Sequence, residues 1–225
     1  MRAGYLIVGA LIFALAAAAV LIWTNQINLP GQPAAPPSAT SVPSTTVAPP
    51  SHEAQLVTAM NEAAAGGGYV ATFMEGDVGK WQIADGHKLE RFSLGSNGPV
   101  FARFTSSTTL DKTSVQWPGL GLSMTLPPEF ANAVAGKKVE VGIIARAAQS
   151  NGSNELSVVY ATRQSGNSGW QSIALQPNFE AYKITYDVPN REGGYTNGPM
   201  IVFHSDASGG GRAVEMIGAY LKVIP

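Results

Sequence analysis

Cysteine is absent from this chain of 225 residues, and histidine and charged side chains are scarce. The absence of cysteine excludes disulfide frameworks, thiolate zinc sites and cysteine nucleophiles. With only three histidines and no H-E-x-x-H pattern, the chain also lacks the sequence signature of a histidine-based metal site. No basic run is present that could neutralise the phosphates of a nucleic acid, so nucleic acid is not a predicted partner.

Charge is missing altogether between Arg2 and Glu53, and Tyr5–Trp23 forms an almost unbroken apolar run. A helix of that length, at about 1.5 Å per residue, reaches about 28 Å, which matches the hydrocarbon thickness of a bilayer. Because Arg2 precedes the run and no charge follows it closely, the positive-inside rule places residues 1–4 in the cytoplasm. The sequence therefore predicts a single-pass signal anchor at residues 5–23 in an inner or plasma membrane, with the remaining chain periplasmic or extracellular.

The apolar run also has a second interpretation, as a cleaved signal peptide. Ala14–Ala16 is a small-x-small pattern of the kind found at cleavage sites, although cleavage there would leave Val20–Trp23 as an apolar N-terminus. In an uncleaved helix, Ala10, Ala14 and Ala18 form a small-xxx-small ridge on one face. That ridge is a predicted contact for a partner membrane subunit; the alternative is that these alanines merely fill the helix.

Proline marks the segment that follows, which we assign as a linker over residues 24–51. Its part from Leu29 to Pro50 holds seven of the fifteen prolines of the chain, with alanine, serine and threonine between them. Such a composition buries too little apolar surface to offset the entropy of ordering, and its prolines favour extended polyproline II. The sequence therefore predicts a tether that holds the following domain away from the membrane.

Residues 52–225 are long enough for one domain with its own core. Ser51 is a suitable N-cap for a short amphipathic helix, and Gly66–Gly68 ends it. Beyond Tyr69 the apolar period becomes two, most clearly in 138–147, 156–162 and 182–188, and the last strand is predicted over 212–224. Turn dipeptides separate such runs, namely Asp85-Gly86, Asn97-Gly98, Asn151-Gly152 and Asn197-Gly198. Many short strands with little helix predict an all-β sandwich or barrel, with strand 138–147 buried on one face.

The order of core positions and turns in the second half resembles galactose-binding-like jelly-roll modules, including several families of carbohydrate-binding module. The residues that carry this resemblance are Leu126-Pro127, Phe130, Gly136-Lys137-Lys138, Ala145-Arg146-Ala147, Phe179 to Thr185, Val188-Pro189 and the strand Val214 to Val223. The resemblance implies a jelly-roll β-sandwich and a non-catalytic, glycan-binding role. It does not extend to the acidic pattern that such modules often carry in their last strand, because Val214 to Ala219 holds a single glutamate. A structural calcium ion is therefore doubtful, and no cofactor is predicted.

A glycan site needs exposed aromatic platforms, together with side chains that direct hydrogen bonds to hydroxyl groups. Tryptophans and one tyrosine beside predicted turns are the candidate platforms, although each could instead cap the core: Trp81, Trp117, Trp170 and Tyr195. The candidate polar ligands lie at predicted strand ends: Arg146, Arg163 and His204. Tyr160, Tyr182 and Tyr186 share the apolar phase of their strands and are predicted to belong to the core.

Three functions are compatible with this sequence. The first is a membrane-anchored, non-catalytic binding module for a glycan or envelope polysaccharide. The second is an accessory subunit of a membrane complex, with the sandwich docked on extracytoplasmic partners. The third is a glycoside hydrolase, which would need two carboxylates in a cleft, but no sequence motif for an enzyme is present.

Overall fold

The computed structural model describes residues 49–225, except Asn97, Val115, Trp117, Pro118, Arg163, Ser165, 191–193 and Tyr195. The first element is helix α1 (His52–Ala64). Its N-cap is Ser51, whose hydroxyl accepts a hydrogen bond from the Ala54 N–H at 3.2 Å, and Gly66 and Gly67 follow with positive φ. The predicted helix is therefore confirmed with its start and stop signals. A second helix, α2 (Pro128–Val134), and a 3₁₀ turn (Glu75–Lys80) were not expected from the strand pattern.

Within the described residues, eleven antiparallel strands form two sheets, which confirms the predicted β-sandwich. Sheet A contains β1 (Tyr69–Thr72), β3 (His87–Ser93), β4 (Val100–Ser106), β6 (Lys138–Ala147), β9 (Glu180–Asp187) and β11 (Ala213–Val223). Sheet B contains β2 (Trp81–Ile83), β5 (Leu122–Thr125), β7 (Glu155–Ala161), β8 (Gln171–Ala174) and β10 (Met200–His204). Sheet A runs in the order β3-β4-β11-β6-β9, with β1 also paired to β11, and sheet B runs β2-β5-β10-β7-β8.

The main core lies between the sheets and is filled by alternate residues of each strand. On sheet B these include Tyr160, Ile201 and Phe203, all fully buried, and on sheet A they include Val141 and Ile184. Tyr182 and Tyr186 pack against this core while remaining partly exposed. The prediction that these tyrosines belong to the core is confirmed for Tyr160, whereas Tyr182 and Tyr186 border the core and are only partly buried.

A β-bulge interrupts the alternation of the last strand. The pairing of β11 with β6 shifts between Met216 and Gly218, so Met216 and Ala219 both belong to the main core although they are three positions apart. Ile217, between them, joins a different cluster on the outer face of sheet A. An extra residue on one strand turns every side chain beyond it to the opposite face of the sheet. A strict period of two therefore fails here.

Helix α1 covers the outer face of sheet A. Its residues Met60 and Ala64 are buried against Ile144, Ile217 and Tyr220. Strand β6 is therefore buried on both faces, and the expectation of one buried face is wrong. The cause is tertiary: a helix that is distant in the chain removes the second face from water.

The predicted anchor 5–23, its alanine ridge (Ala10, Ala14, Ala18) and most of the linker lie outside the described residues. In the part of the chain that the structure describes, no helix combines the length and apolarity needed to cross a bilayer.

Candidate ligand-binding face

The outer face of sheet B has an apolar centre. Side chains that point away from the main core, Val159, Ala161, Met200 and Val202, form a separate cluster in which all four are fully buried. Leu120 and Trp170 pack against this cluster and remain partly exposed. Accessible groups on this side of the sandwich therefore lie at the rim of the buried cluster, where Trp170 is found.

Two loops at this rim are tied together by one glutamine. Gln164, in the loop after β7, donates a hydrogen bond from Nε2 to Thr196 Oγ1 at 2.8 Å, and its Oε1 accepts the Thr196 N–H at 3.0 Å. Thr196 belongs to the loop before β10. The loop after β7 is further closed by Thr162, whose N–H and hydroxyl both donate to the Gly166 carbonyl. The chain then runs from the loop after β7 to Trp170 on the same rim.

Three predicted ligand residues lie outside the described residues, namely Trp117, Arg163 and Tyr195. Their chain neighbours are nevertheless placed. Arg163 directly precedes Gln164, and Tyr195 directly precedes Thr196, so the residues hydrogen-bonded across the rim are the immediate neighbours of two predicted ligands. Of the predicted set, Trp170 is described on this rim.

Arg146 lies on the other sheet and is occupied by a buried ion pair. Its Nε donates to Glu215 Oε2 at 2.7 Å, and its guanidinium lies 4.3 Å from the centroid of the Phe179 ring. Arg103 binds the other carboxylate oxygen of Glu215 through its Nε at 3.0 Å. The expected position at a strand end is correct, but the side chain is only 11% exposed and stabilises the outer face of sheet A.

His204 also lies at a strand end, as expected, and its side chain is almost fully buried. Its ring packs edge-on against His87 with centroids 5.5 Å apart. Among the described groups, neither ring nitrogen of His204 has a hydrogen-bond partner of good geometry. Burial, followed by the proximity of His87, lowers the pKa of His204 to about 4, while the Thr108 backbone and Asp206 partly oppose this shift. The imidazole is therefore neutral at pH 7.

Trp81 is a core residue rather than a platform. Its ring stacks on Phe73 at 4.5 Å, its Nε1 donates to the Thr72 carbonyl at 2.7 Å, and it is 8% exposed. A turn residue at the start of β2 therefore points between the sheets.

A polar cavity of about 300 Å³ at the end of sheet B contains two carboxylates, Glu155 and Asp206. Burial raises the pKa of Asp206, but hydrogen bonds from Ser208 and the Arg212 backbone outweigh it, and the resulting pKa lies below the ordinary value. Glu155 accepts hydrogen bonds from Ser157 and Ser172. Asp206 is thus an ionised group that organises its own loop, and not a protonated general acid.

We expect the buried His204 to weaken the domain at mildly acidic pH. Because the folded pKa is about 4 and the unfolded value about 6.5, the unfolded state binds the proton more tightly, and stability falls as pH drops from about 6.5 to about 4. The loss is on the order of 3 kcal/mol at most. Urea unfolding between pH 7.5 and 4.5 measures it, with His204→Gln as the control that should flatten the profile. An unchanged profile in that variant would refute the assignment.

Among the described residues, no group of three or more histidine, aspartate or glutamate side chains is arranged to hold a metal ion.

Comparison with known proteins gives structural similarity without sequence similarity. No protein-family model and no curated protein matches the chain. The tandem CBM22-1–CBM22-2 domain from Paenibacillus barcinonensis superposes with a TM-score of 0.50 at 13% identity over 69% of this chain, which spans 44% of the tandem. The single CBM22-1 xylan-binding domain from the same organism matches with a TM-score of 0.50, 14% identity and 93% of its own length covered. Identity this low establishes the fold alone, and the described domain therefore has the jelly-roll β-sandwich fold of carbohydrate-binding modules.

Proposed function

We propose that this chain is a membrane-anchored, non-catalytic binding module for a glycan or envelope polysaccharide. The observation that carries the proposal is the rim of sheet B, where Gln164 and Thr196 join two loops and where the partly exposed Trp170 packs against the buried cluster. These are the loops that supply Arg163 and Tyr195. An aromatic ring offers apolar contact to a sugar face, and a guanidinium fork offers paired donors to hydroxyls or a uronate carboxylate.

The chemical class of the ligand follows from this set and from the structural neighbours. One neighbour of similar fold is described as xylan-binding. A backbone of neutral sugars with acidic branches would suit a site that combines a tryptophan with an arginine. Xylan that carries uronate branches is therefore the first polysaccharide to test, followed by neutral xylan and unrelated acidic polysaccharides.

We expect Trp170→Ala and Arg163→Ala each to weaken glycan binding by about tenfold or more, since each removes a group that we place on the sugar. The measurement is affinity electrophoresis of the detergent-purified full chain in gels containing each polysaccharide, followed by calorimetric titration. Lys183→Ala is the matched control, because Lys183 is 57% exposed on sheet A and lies away from the rim. Arg163→Lys separates a need for charge from a need for the planar fork.

Two results would contradict the glycan proposal. One is the absence of binding to any polysaccharide at millimolar sugar concentration. The other is binding that Trp170→Ala and Arg163→Ala leave unchanged, which would move the site away from the rim.

The anchoring part of the proposal rests on the apolar run Tyr5–Trp23 and on the position of Arg2 before it. We expect protease added to intact spheroplasts to remove the domain and to leave a short membrane-embedded fragment. Protection of the domain, or recovery of a soluble mature form that starts after the alanine run, would contradict the anchor.

A further inference from the structure

Exposed apolar side chains are concentrated at one edge of the sandwich. In the described part of the chain, four large apolar residues are exposed, Met74, Val78, Ile83 and Phe92, at 58%, 39%, 39% and 41%. They occur in or beside the 3₁₀ turn, β2 and β3, which together border this edge. Two open cavities of about 410 and 190 Å³ adjoin here and share Phe73 and Arg91 in their linings. Apolar side chains exposed around one edge are typical of a contact with another molecule.

Strand β3 forms the border of sheet A at this edge. It pairs with β4 along all seven residues, without a bulge, and none of the described strands pairs with its other side. Five of its residues are exposed, from Lys88 to Ser93 with the exception of Leu89. A straight, proline-free edge strand offers unpaired N–H and C=O groups to another strand.

The charges on β3 determine which strand would fit. Charged side chains at a sheet edge usually prevent pairing, because identical strands place like charges together. If two copies of β3 pair antiparallel so that their core faces match, a two-fold axis must pass at one residue. An axis at Lys88 or at Glu90 places two like charges directly opposite each other. An axis at Leu89 instead places Lys88 opposite Glu90 of the second copy, and Glu90 opposite Lys88 of the second copy.

The same register accommodates the other side chains of the strand. Leu89 lies opposite Leu89 of the second copy, on the face of sheet A that points toward the main core. His87 faces Arg91 of the second copy, and burial keeps the pKa of His87 below its ordinary value, so that this pair adds no repulsion at neutral pH. The exposed ring of Phe92 lies beyond the paired segment, near the turn glycine Gly86 of the second copy, which has no side chain to exclude it.

We infer that the chain forms a two-fold homodimer in which the β3 strands pair antiparallel about Leu89, joining two copies of sheet A and covering the apolar edge. The occupant of the edge is thus a second copy of this chain. The inference is independent of the glycan proposal, since β3 and the rim of sheet B lie on different sheets.

Charge reversal tests the register directly. Lys88→Glu places glutamate opposite glutamate at both pairs, and Glu90→Lys places lysine opposite lysine, so each variant alone should raise the dimer dissociation constant by at least about tenfold. Mixing the two variants restores both opposite-charge pairs across the axis. We therefore expect Lys88→Glu and Glu90→Lys chains, carrying different affinity tags, to co-purify with each other while neither forms a dimer alone.

The absence of cysteine permits a second test in the full chain purified in mild detergent. Leu89→Cys places two thiols across the axis at a Cα separation of about 4.5 to 5.5 Å, which suits a disulfide. Ser93→Cys is the matched control on the same strand, because in this register its two copies are about 27 Å apart. Oxidation should therefore cross-link Leu89→Cys chains and leave Ser93→Cys chains monomeric.

Three results would overturn the inference. The first is a monomer in sedimentation experiments up to about 100 μM, where even a weak dimer would be detected. The second is a dimer that both charge reversals leave unchanged, as expected if contacts elsewhere, such as the membrane segment, hold it together. The third is a companion of a different sequence bound at stoichiometric amounts to the apolar edge.

Discussion

Replacing Glu215 by alanine is expected to lower the free energy of unfolding by about 3 to 5 kcal/mol. The carboxylate is 1% exposed, and it binds Arg146 and Arg103 on the two strands that flank β11. Its removal leaves the guanidinium of Arg146 buried without a counter-charge, between the rings of Phe101 and Phe179. Urea denaturation of wild type and variant at pH 7 measures the difference.

Two further variants separate the cost of an unpaired charge from the net value of the ion pairs. Arg103→Ala should cost only about 1 kcal/mol, because Arg103 is 28% exposed and solvent screens its contribution. Replacing all three residues by apolar side chains of similar volume should recover much of the loss, since no buried charge then remains. A Glu215→Ala variant that loses less than about 1 kcal/mol would show that water or local rearrangement solvates Arg146.

Phe203→Ala is expected to cost about 3 to 5 kcal/mol of stability. Phe203 is fully buried on β10, the middle strand of sheet B, and its ring lies 5.9 Å from that of Trp81, which stacks in turn on Phe73. Alanine leaves a cavity among rings that are fixed by both sheets and cannot collapse fully. Thermal and urea unfolding give the value.

Phe203→Leu serves as the graded control for this prediction. Leucine retains most of the buried apolar volume, so the loss should fall to about 1 kcal/mol. Equal losses for leucine and alanine would indicate that ring contacts with Trp81, and not the cavity, dominate the effect.

Local signals in the sequence predicted those features that depend on neighbouring residues. Ser51 and the glycines after Ala65 bound helix α1 because a cap and a left-handed stop act within one turn of the chain. The alternation in β6 and β9 predicted which residues face the main core, because a strand turns successive side chains to opposite faces. The order of core positions and turns then indicated the jelly roll.

Candidate ligand residues were harder to identify from the sequence, since a strand-end or turn position does not give the direction of the side chain. Arg146 and His204 both end strands as expected, yet one is held by Glu215 and the other is buried beside His87. Trp81 lies at a turn and points between the sheets. Gln164 carried no sequence signal, because its role depends on a loop that is 32 residues away.

The sequence by itself determined helix α1, the strand phases and the all-β class, because each depends on composition or on contacts within a few residues. On the same local grounds it predicts the apolar anchor segment. Only the tertiary structure decided which outer faces are covered. Helix α1 buries the second face of β6, and Leu120 and Trp170 pack on the outer face of sheet B. It also left the β3 edge open with its exposed apolar residues. These outcomes depend on segments that are distant in the chain, and a local periodicity contains no information about what packs against it.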